Sequence, residues 1–216
     1  TPAFTVSIGI SADEKYYFIN SSDHNTSEKY YFKSNESLPK PKIVRKREKG
    51  IIYSVSSWGG YFYIHTNKDA EDFKIERSTD IEASKWEVFI PAKNETMIGG
   101  LTFLKNWIIR SELNNALDKI FVRDINSNKE EELIFTDEEV YDGSISHTQK
   151  DRNTDLIYIS YSTPKTQART YLYNLKTKEK KLVKEQVIPT GHDPKNYIVQ
   201  RIECNSDDGR KVPLTI

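Results

Sequence analysis

The run Tyr61-Phe62-Tyr63-Ile64 decides the fold, because runs of the same kind recur through the chain at nearly even spacing. The related runs are Tyr16-Tyr17-Phe18-Ile19, Trp107-Ile108-Ile109 and Leu156-Ile157-Tyr158-Ile159. Short segments of aromatic and β-branched residues between polar clusters predict β-strands. Their first residues lie about 45 to 49 positions apart, which is the period of a four-stranded propeller blade.

Three further series of runs keep step with this one, so that each unit contains four predicted strands. The strand before each aromatic run is rich in small residues: Val6-Ser7-Ile8-Gly9, Tyr53-Ser54-Val55-Ser56, Gly99-Gly100-Leu101-Thr102 and Gly143-Ser144-Ile145-Ser146. The strand after it is Tyr30-Tyr31-Phe32, Phe73-Lys74-Ile75, Ile120-Phe121-Val122 or Tyr171-Leu172-Tyr173. The last strand is Ile43-Val44, Trp86-Glu87-Val88-Phe89, Leu133-Ile134-Phe135 or Leu182-Val183. The repeat predicts an all-β fold, a partial β-propeller of about four blades of four antiparallel strands, at approximately 1–49, 50–93, 94–136 and 137–186.

The segments between the predicted strands agree with a propeller. Residues 124–130 and 174–179 each combine an Asx residue, an aliphatic residue and a polar turn, as a tight hairpin at the outer edge of a blade requires. The small residues of the first strand suit a crowded central channel, where blades converge. A local helical alternative is an amphipathic stripe of Ile109, Leu113, Ala116, Leu117 and Ile120. We prefer strands there because a helix would break the repeat.

The residues after 188 lie outside the repeat, so the four blades occupy 1–188. Pro189, Gly191 and Pro194 predict a linker over 189–197. Two alternating runs flank Asp208-Gly209, and this arrangement predicts a β-hairpin over 198–216. Because its second run is apolar up to Ile216, we expect the hairpin to begin a second domain whose remainder is missing.

The composition excludes several classes of protein. The 216 residues carry 32 Lys+Arg and 32 Asp+Glu, so a net charge of zero gives no general attraction to nucleic acid or anionic membranes. No apolar run approaches a membrane span, and Thr1 to Ile10 lack the layout of a signal peptide. The single cysteine, Cys204, excludes an intrachain disulfide and a multi-cysteine zinc site. We therefore expect a soluble, cytoplasmic protein without a cofactor, a nucleic-acid partner or a membrane partner.

The exit from the repeat resembles a known family. Serine peptidases of the prolyl oligopeptidase family leave their propeller through a segment similar to Gly191-His192-Asp193-Pro194-Lys195-Asn196-Tyr197, followed by Arg201-Ile202-Glu203 and Asp208-Gly209-Arg210-Lys211-Val212-Pro213. Similar residues upstream, such as 62–67 and 160–162, extend the resemblance over nearly the whole chain. Within the family, the chain looks most like the oligopeptidase B branch, also called protease II.

The resemblance implies a seven-bladed propeller that caps an α/β-hydrolase domain with a Ser-Asp-His triad and admits only short peptides. Relatives of oligopeptidase B cleave after Lys or Arg, and prolyl oligopeptidases cleave after Pro. No position of this chain matches the triad, so we expect a non-catalytic propeller portion of an oligopeptidase B-like serine endopeptidase. Its expected partners are short peptide substrates and the missing peptidase domain. The alternatives are a free-standing scaffold that binds peptides or proteins, the propeller of a Pro-specific enzyme, and a surface-attached or periplasmic propeller.

Missing blades would leave one face of the first blade and one face of the fourth without a neighbour. An apolar face on the order of 500 Å² forgoes ~12 kcal/mol at about 25 cal/mol/Å². This amount is comparable with the total stability of a domain. We therefore expect the 216-residue chain to self-associate through these two faces.

Few residues suggest chemistry, and we predict no catalytic, cofactor-binding or metal-binding residue. The nearest match to a nucleophile elbow, Gly9-Ile10-Ser11-Ala12-Asp13, lacks the final glycine, so we expect Ser11 to be a solvent-facing turn residue. The histidines lack the short spacing of metal ligands, and we expect a structural role for His65: they are His24, His65, His147 and His192. Residues 124–128 imitate a calcium loop, but Lys129 replaces its glycine and Phe135 its glutamate, which favours a hairpin.

Charged clusters and sequons have ordinary explanations. The basic block lacks interleaved aromatic residues and predicts a solvated edge strand rather than a nucleic-acid site: Lys40, Lys42, Arg45, Lys46, Arg47 and Lys49. The acidic residues 130–132 and 137–139 would steer cationic peptides weakly. Asn20, Asn25, Asn35 and Asn94 begin glycosylation sequons that we attribute to chance.

Overall fold

The computed structural model describes residues 4–147 and 151–216. The chain divides into two compact units between Gly100 and Leu101. Regular structure in the described residues consists of β-strands and one short 3₁₀ turn. The all-β prediction is therefore confirmed.

The first unit contains two four-stranded sheets, each with its strands in sequential order. The first sheet is formed by β1 (Thr5–Ile10), β2 (Tyr16–Ser22), β3 (Ser27–Lys33) and β4 (Lys42–Arg45). The second is formed by β5 (Tyr53–Trp58), β6 (Tyr61–Thr66), β7 (Lys74–Ser78) and β8 (Glu87–Ile90). Consecutive strands pair antiparallel through short polar turns, as the repeat predicts.

The second unit contains two further four-stranded sheets and a terminal hairpin. The third sheet is formed by β9 (Thr96–Leu104), which begins in the first unit, β10 (Trp107–Asn114), β11 (Leu117–Asp124) and β12 (Glu130–Glu132). The fourth is formed by β13 (Asp142–Ser146), β14 (Leu156–Thr163), β15 (Thr166–Asn174) and β16 (Lys180–Glu185). The 3₁₀ turn Pro194–Asn196 precedes the hairpin of β17 (Arg201–Asn205) and β18 (Lys211–Thr215).

The helical alternative near residue 115 is wrong, because β10 and β11 form a hairpin there. Asn114 pairs with Leu117, and the two residues between them have positive φ angles, 49° at Asn115 and 57° at Ala116. Two consecutive residues in this region produce the tight turn whose twist matches that of antiparallel strands. Hydrophobic residues spaced three or four apart therefore belong here to two strands and not to one helix.

The predicted last strand of the third unit, Leu133-Ile134-Phe135, is misplaced. The strand is Glu130–Glu132, and the Leu133 N–H makes one more hydrogen bond, to the Ile120 carbonyl at 2.8 Å, before the chain leaves the sheet. Leu133 and Phe135 turn inward and are 6% and 1% exposed, whereas Ile134 between them is 63% exposed. The apolar run thus fills the core of the second unit instead of extending a strand.

Each unit has one core between its two sheets. In the first unit, Phe18 and Tyr31 of the first sheet pack with Phe62 and Ile64 of the second. In the second unit, the core cluster includes Ile109 and Val122 of the third sheet and Ile157 and Ile159 of the fourth. Alternation places these residues on one face of each strand, so every sheet contributes one apolar face to a core.

The predicted crowding around small residues of the first strands holds at one position. A Cβ atom on Gly143 would lie 3.1 Å from the rings of Phe135 and Tyr141. A Cβ atom on Gly9 or Gly100 would have no described neighbour within 4 Å. Of these three positions, only at Gly143 does close packing favour glycine, because the neighbouring rings would have to shift to admit a Cβ atom.

Tyr53 joins the two sheets of the first unit. Its hydroxyl donates to the Arg45 carbonyl at 2.7 Å and accepts the Lys29 N–H at 2.9 Å and the Arg45 N–H at 3.3 Å. The register of β3 and β4 shifts between Lys29 and Tyr30, which leaves these backbone groups outside the regular ladder. The phenol thus satisfies polar groups that a β-bulge exposes.

We expect Tyr53→Phe to lower the free energy of unfolding by about 1–3 kcal/mol, because buried backbone groups lose their partner. Urea unfolding followed by tryptophan fluorescence measures the change. Tyr30→Phe is the matched control, since its hydroxyl donates to the Glu28 carboxylate and not to a backbone group among the described residues. Equal effects of the two substitutions would contradict the role of Tyr53.

Candidate functional site

The segment that leaves the fourth sheet is anchored to the tip of that sheet. His192 Nε2 donates to the carbonyl of Lys165, in the turn between β14 and β15, at 2.6 Å. The His192 ring stacks on Tyr197, with 5.1 Å between the ring centroids. Asp193 caps the 3₁₀ turn by accepting the Lys195 N–H at 3.0 Å. A linker with three proline or glycine residues is thus held in one conformation by a side chain that bonds to a distant turn.

A second contact anchors the hairpin that follows. The Arg201 guanidinium donates to the carbonyl of Asn115, in the turn between β10 and β11. Both anchors therefore use main-chain carbonyls of turns that join the second and third strands of a sheet. The sequence indicated the linker, but not the two anchoring donors, because their acceptors carry no side-chain signal.

The terminal hairpin presents an apolar face. Ile202 pairs with Leu214, and Cys204 pairs with Val212, so these four side chains share one face. Ile202, Val212 and Leu214 are about 40% exposed, at 40%, 41% and 42%. A two-stranded hairpin is only marginally stable alone, and an apolar face of this kind is suited to packing on another layer.

Ser11 is not the solvent-facing residue that we predicted, since it is only 5% exposed. Its Oγ donates to Asp13 at 2.7 Å and accepts the backbone N–H groups of Lys15 and Tyr16. Asp13 also accepts a hydrogen bond from Ser57 of β5 at 2.9 Å. The turn buries its hydroxyl because these backbone donors need an acceptor, and this gives Ser11 a structural role.

The histidines have different surroundings in the described structure. His24 is exposed, and His147 follows β13 with a buried Nε2 that has no described hydrogen-bond partner. His65 donates from Nε2 to the Ile98 carbonyl at 2.6 Å and stacks on Phe73 at 4.5 Å. In residues 4–147 and 151–216, no cluster of three or more His, Cys, Asp or Glu side chains could hold a metal ion.

His65 makes the stability of the first unit depend on pH. Burial lowers its pKa below the usual 6.5, although the hydrogen bond to Ile98 opposes this effect. The unfolded chain then takes up a proton more readily than the folded chain. The stability that neutral His65 provides is therefore complete above about pH 6.5 and decreases as the pH falls below that value.

We expect His65→Gln to weaken the loss of stability between about pH 7.5 and 5.5. Glutamine can still donate to Ile98 but does not titrate. Urea unfolding at both pH values gives the comparison, and His24→Gln, at an exposed position, is the control. His147, whose pKa is lowered by burial and by Arg152, leaves a residual slope in both proteins. An unchanged pH dependence in His65→Gln would contradict the prediction.

The loop that imitates a calcium site is a hairpin turn between β11 and β12. Asp124 Oδ1 accepts the N–H groups of Asn126 at 2.7 Å and Ser127 at 3.2 Å. The Ser127 backbone hydrogen bond is the main reason that the pKa of Asp124 lies below its usual value. The carboxylate is therefore committed to forming the turn.

The basic block contains the outermost strand of the first sheet, β4, which confirms the predicted edge strand. Arg45 bonds to Glu76 at 2.8 Å and lies 5.3 Å from the centre of the Trp86 ring. Lys42 bonds to Glu82 at 2.6 Å, with a side chain that is 65% exposed. Acidic partners thus balance part of the positive charge.

Four of the six residues in the two acidic clusters are paired with cations. Glu130 contacts Arg110 and Arg123, and Glu131 contacts Lys178. Glu132 lies 3.4 Å from Lys119, and Glu138 lies 2.9 Å from Lys165. Because these pairs cancel much of the local negative charge, the structure gives little support to electrostatic steering of cationic peptides.

Comparisons with known proteins agree with the fold. Residues 1–186 match the family model described as prolyl oligopeptidase, N-terminal beta-propeller domain. Dipeptidyl aminopeptidase BI of Pseudoxanthomonas mexicana is 28% identical over 218 residues, covering 99% of this chain and 30% of that protein. Protease 2 of Moraxella lacunata is 28% identical over 214 residues, covering 98% of this chain and 30% of that protein. The chain thus spans about a third of the length of these relatives.

Solved structures show the same architecture. Oligopeptidase B from Trypanosoma brucei, in a closed form with covalently bound antipain, matches with a TM-score of 0.88 and 26% identity. That match covers 100% of this chain and 32% of the other chain. Oligopeptidase B from Leishmania major matches in fold with a TM-score of 0.86 at 20% identity, again over 100% of this chain and 32% of the other. Within the described residues, no helical segment has the length and hydropathy of a membrane span.

Proposed function

The chain belongs to the prolyl oligopeptidase family, whose N-terminal propeller domain it matches over residues 1–186, and we propose that it is the substrate-gating part of an oligopeptidase B-like serine endopeptidase. In this proposal, four blades of a seven-bladed ring occupy 1–188, with a linker at 189–197 and the first hairpin of the peptidase domain at 198–216. The ring admits short peptides and keeps folded proteins from the catalytic centre. The site of action is the cytoplasm.

The observation that carries the proposal is the anchored exit segment. His192 and Arg201 hold this segment against turns of the second unit, and the hairpin beyond it presents the apolar face of Ile202, Val212 and Leu214. A fixed linker followed by an uncovered apolar hairpin suits a chain that continues into a second packed domain. A free-standing scaffold has no use for this arrangement.

Cleavage after Lys or Arg is the preferred specificity, because the relatives named Protease 2 and oligopeptidase B are among the matches. Cleavage after Pro is the alternative within the family. The match to a protein named dipeptidyl aminopeptidase BI adds the removal of N-terminal dipeptides as a further possibility to test.

The test begins with the coding sequence beyond Ile216, where we expect a G-x-S-x-G motif and a later histidine. The encoded protein is then assayed with blocked Arg, Lys and Pro peptide substrates and with unblocked dipeptidyl substrates. Faster cleavage of blocked Arg and Lys substrates supports the proposal. Preference for Pro or for unblocked dipeptides would replace the specificity, and absence of the motif would favour the scaffold.

The gating role needs a separate measurement on the same full-length enzyme. Peptides of increasing length, all with one cleavable Arg, are compared with a folded protein that has an Arg in an exposed loop. We expect kcat/KM to fall steeply with size. Cleavage of the folded protein at the rate of a short peptide would refute gating.

We also propose that the 216-residue chain self-associates, chiefly through the outer face of the first sheet. Val6, Ile8 and Ile10 on this face are 67%, 61% and 49% exposed, and Tyr17 stacks there on Phe32 at 5.3 Å. The outer face of the fourth sheet is more polar, with Ser160 bonded to Thr170. Light scattering at micromolar concentration should show oligomers that Ile8→Lys dissociates, and a monomeric wild-type chain would refute the idea.

A further inference from the structure

A groove of about 640 Å³ opens on the first unit and is lined by residues from both of its sheets. The first sheet contributes Arg45, at the end of β4, and Lys46, in the segment that follows it. The second sheet contributes Glu76 of β7 and Lys85, in the segment before β8. A volume of this size is typical of sites that bind small molecules.

Two of the three carboxylates that line the groove are already engaged by cations. Glu76 contacts Arg45 at 2.8 Å and Lys74 at 3.0 Å. Glu48 contacts Lys68 at 2.6 Å. In these contacts three cations meet two carboxylates, so the paired groups leave no negative charge that could neutralise a further cation in the groove.

Lys46 and Lys85 also line the groove, and both are unpaired. Their side chains are exposed, and neither ammonium group has an ion pair or a hydrogen bond within residues 4–147 and 151–216. Because one lysine follows the first sheet and the other belongs to the second, an anion seated in the groove can contact both. Ser84, next to Lys85 and also exposed, adds a hydroxyl donor to the lining.

The lining favours a phosphate chain as the occupant. A lysine binds phosphate as a compact point charge, and a single exposed ion pair contributes little, so the ligand must carry several negative charges. Among the described residues of the lining, no aromatic ring is free to stack on a base, because Tyr53 is 4% exposed and Trp86 is 8% exposed. The Arg45 guanidinium also lies 5.3 Å from the centre of the Trp86 ring. Recognition therefore falls on phosphate groups and not on a base.

We propose that this groove, which we call the lysine groove, binds an oligophosphate chain, either as a free inorganic oligophosphate or as part of a nucleotide. The ammonium groups of Lys46 and Lys85 bind phosphate oxygens, and the Ser84 hydroxyl donates to a further oxygen. Asp69, the third carboxylate of the lining, opposes the binding of an anion. The proposal does not depend on the peptidase role proposed above.

Isothermal titration calorimetry of the 216-residue chain at about pH 7.5 and low salt tests the proposal with inorganic triphosphate, ATP and adenosine. Divalent cations are left out, because they would mask the phosphate charges. We expect triphosphate and ATP to bind and adenosine not to bind. Equal affinities would support the proposal with a free oligophosphate as the ligand, and tighter binding of ATP would support it with a nucleotide. Failure of triphosphate and ATP to bind at up to about 5 mM, or binding of adenosine as tight as that of ATP, would overturn it.

Substitutions in the lining test the position of the site in two opposite directions. Lys46→Ala and Lys85→Ala should each weaken the binding of triphosphate by about fivefold. Asp69→Asn should strengthen it by about two- to fivefold, because the variant loses a repelling charge. Asparagine suits this position, where the φ angle is 53°.

Lys40→Ala is the matched control. Lys40 is an exposed lysine of the same basic block but does not line the groove, so we expect its loss to leave the affinity unchanged. Far-UV circular dichroism verifies the fold of each variant. Equal losses in Lys40→Ala and Lys46→Ala would show a general attraction to the basic block and would overturn the proposal. Unchanged binding in both groove lysine variants, or weaker binding in Asp69→Asn, would do the same.

Discussion

Arg110→Ala is expected to lower the free energy of unfolding of the second unit by about 3–5 kcal/mol. The Arg110 side chain is only 4% exposed, and its guanidinium bonds to Glu112 at 2.8 Å and to both carboxylate oxygens of Glu130 at 2.9 and 3.1 Å. It also lies 4.7 Å from the centre of the Phe121 ring. Removing the cation leaves buried negative charge without its principal counterion, and this is far more costly than losing a surface pair.

Arg123→Ala is the matched control for this experiment. Arg123 also contacts Glu130, at 3.0 Å, but its side chain is 21% exposed, so the expected loss is below about 1 kcal/mol. The double variant Arg110→Met with Glu112→Met should recover part of the loss, because an apolar pair avoids the unpaired charge. Urea unfolding measures all three proteins. Similar losses for Arg110→Ala and Arg123→Ala would show that the buried network is unimportant.

Phe135→Ala is expected to lower the free energy of unfolding by about 3–5 kcal/mol, because it removes a fully buried ring. Phe135 is 1% exposed, and its ring centre lies 5.5 Å from that of Tyr141. An edge atom of the Phe135 ring also lies 3.1 Å from the position that a Cβ atom on Gly143 would take. The cavity left by Phe135→Ala is not easily filled, since the adjacent Gly143 has no side chain that could move into it.

Ile134→Ala controls for the change of an apolar residue in the same segment. Ile134 is 63% exposed, so its loss should cost less than about 0.5 kcal/mol. The pair of variants also tests the corrected position of this segment. If Ile134 were buried and Phe135 exposed, Ile134→Ala would be the more damaging substitution.

Much of the fold could be predicted from the sequence because the same pattern of four predicted strands repeats along the chain. Aromatic and β-branched runs mark the strands, and the polar turns between them make consecutive strands antiparallel. The failure at Leu133 and Phe135 has a physical reason. An apolar residue type indicates that a side chain is buried, but a buried side chain can belong to a strand or to a loop segment that turns into the core.

The polar interior could not be predicted in the same way. Arg110, Glu112 and Lys29 have the residue types of an exposed surface, and only the stacking of sheets reveals which face is covered. Opposite charges two positions apart in a strand, as at Arg110 and Glu112, share one face and are the one signal that could have suggested a pair. The buried Ser11 gave no such signal, since its partners are mostly backbone groups.

The acceptors of His192 and Arg201 are peptide carbonyls, which every amino acid supplies. Mutation of Lys165 can therefore accumulate without loss of its bond to His192, provided that the turn keeps its shape, whereas Asn115 is also restricted by its φ angle of 49°. The requirement for a particular side chain in this connection therefore falls chiefly on the two donors. Descendants of this gene can change side chains in the turns and still inherit the same attachment, as long as the turn conformations are kept.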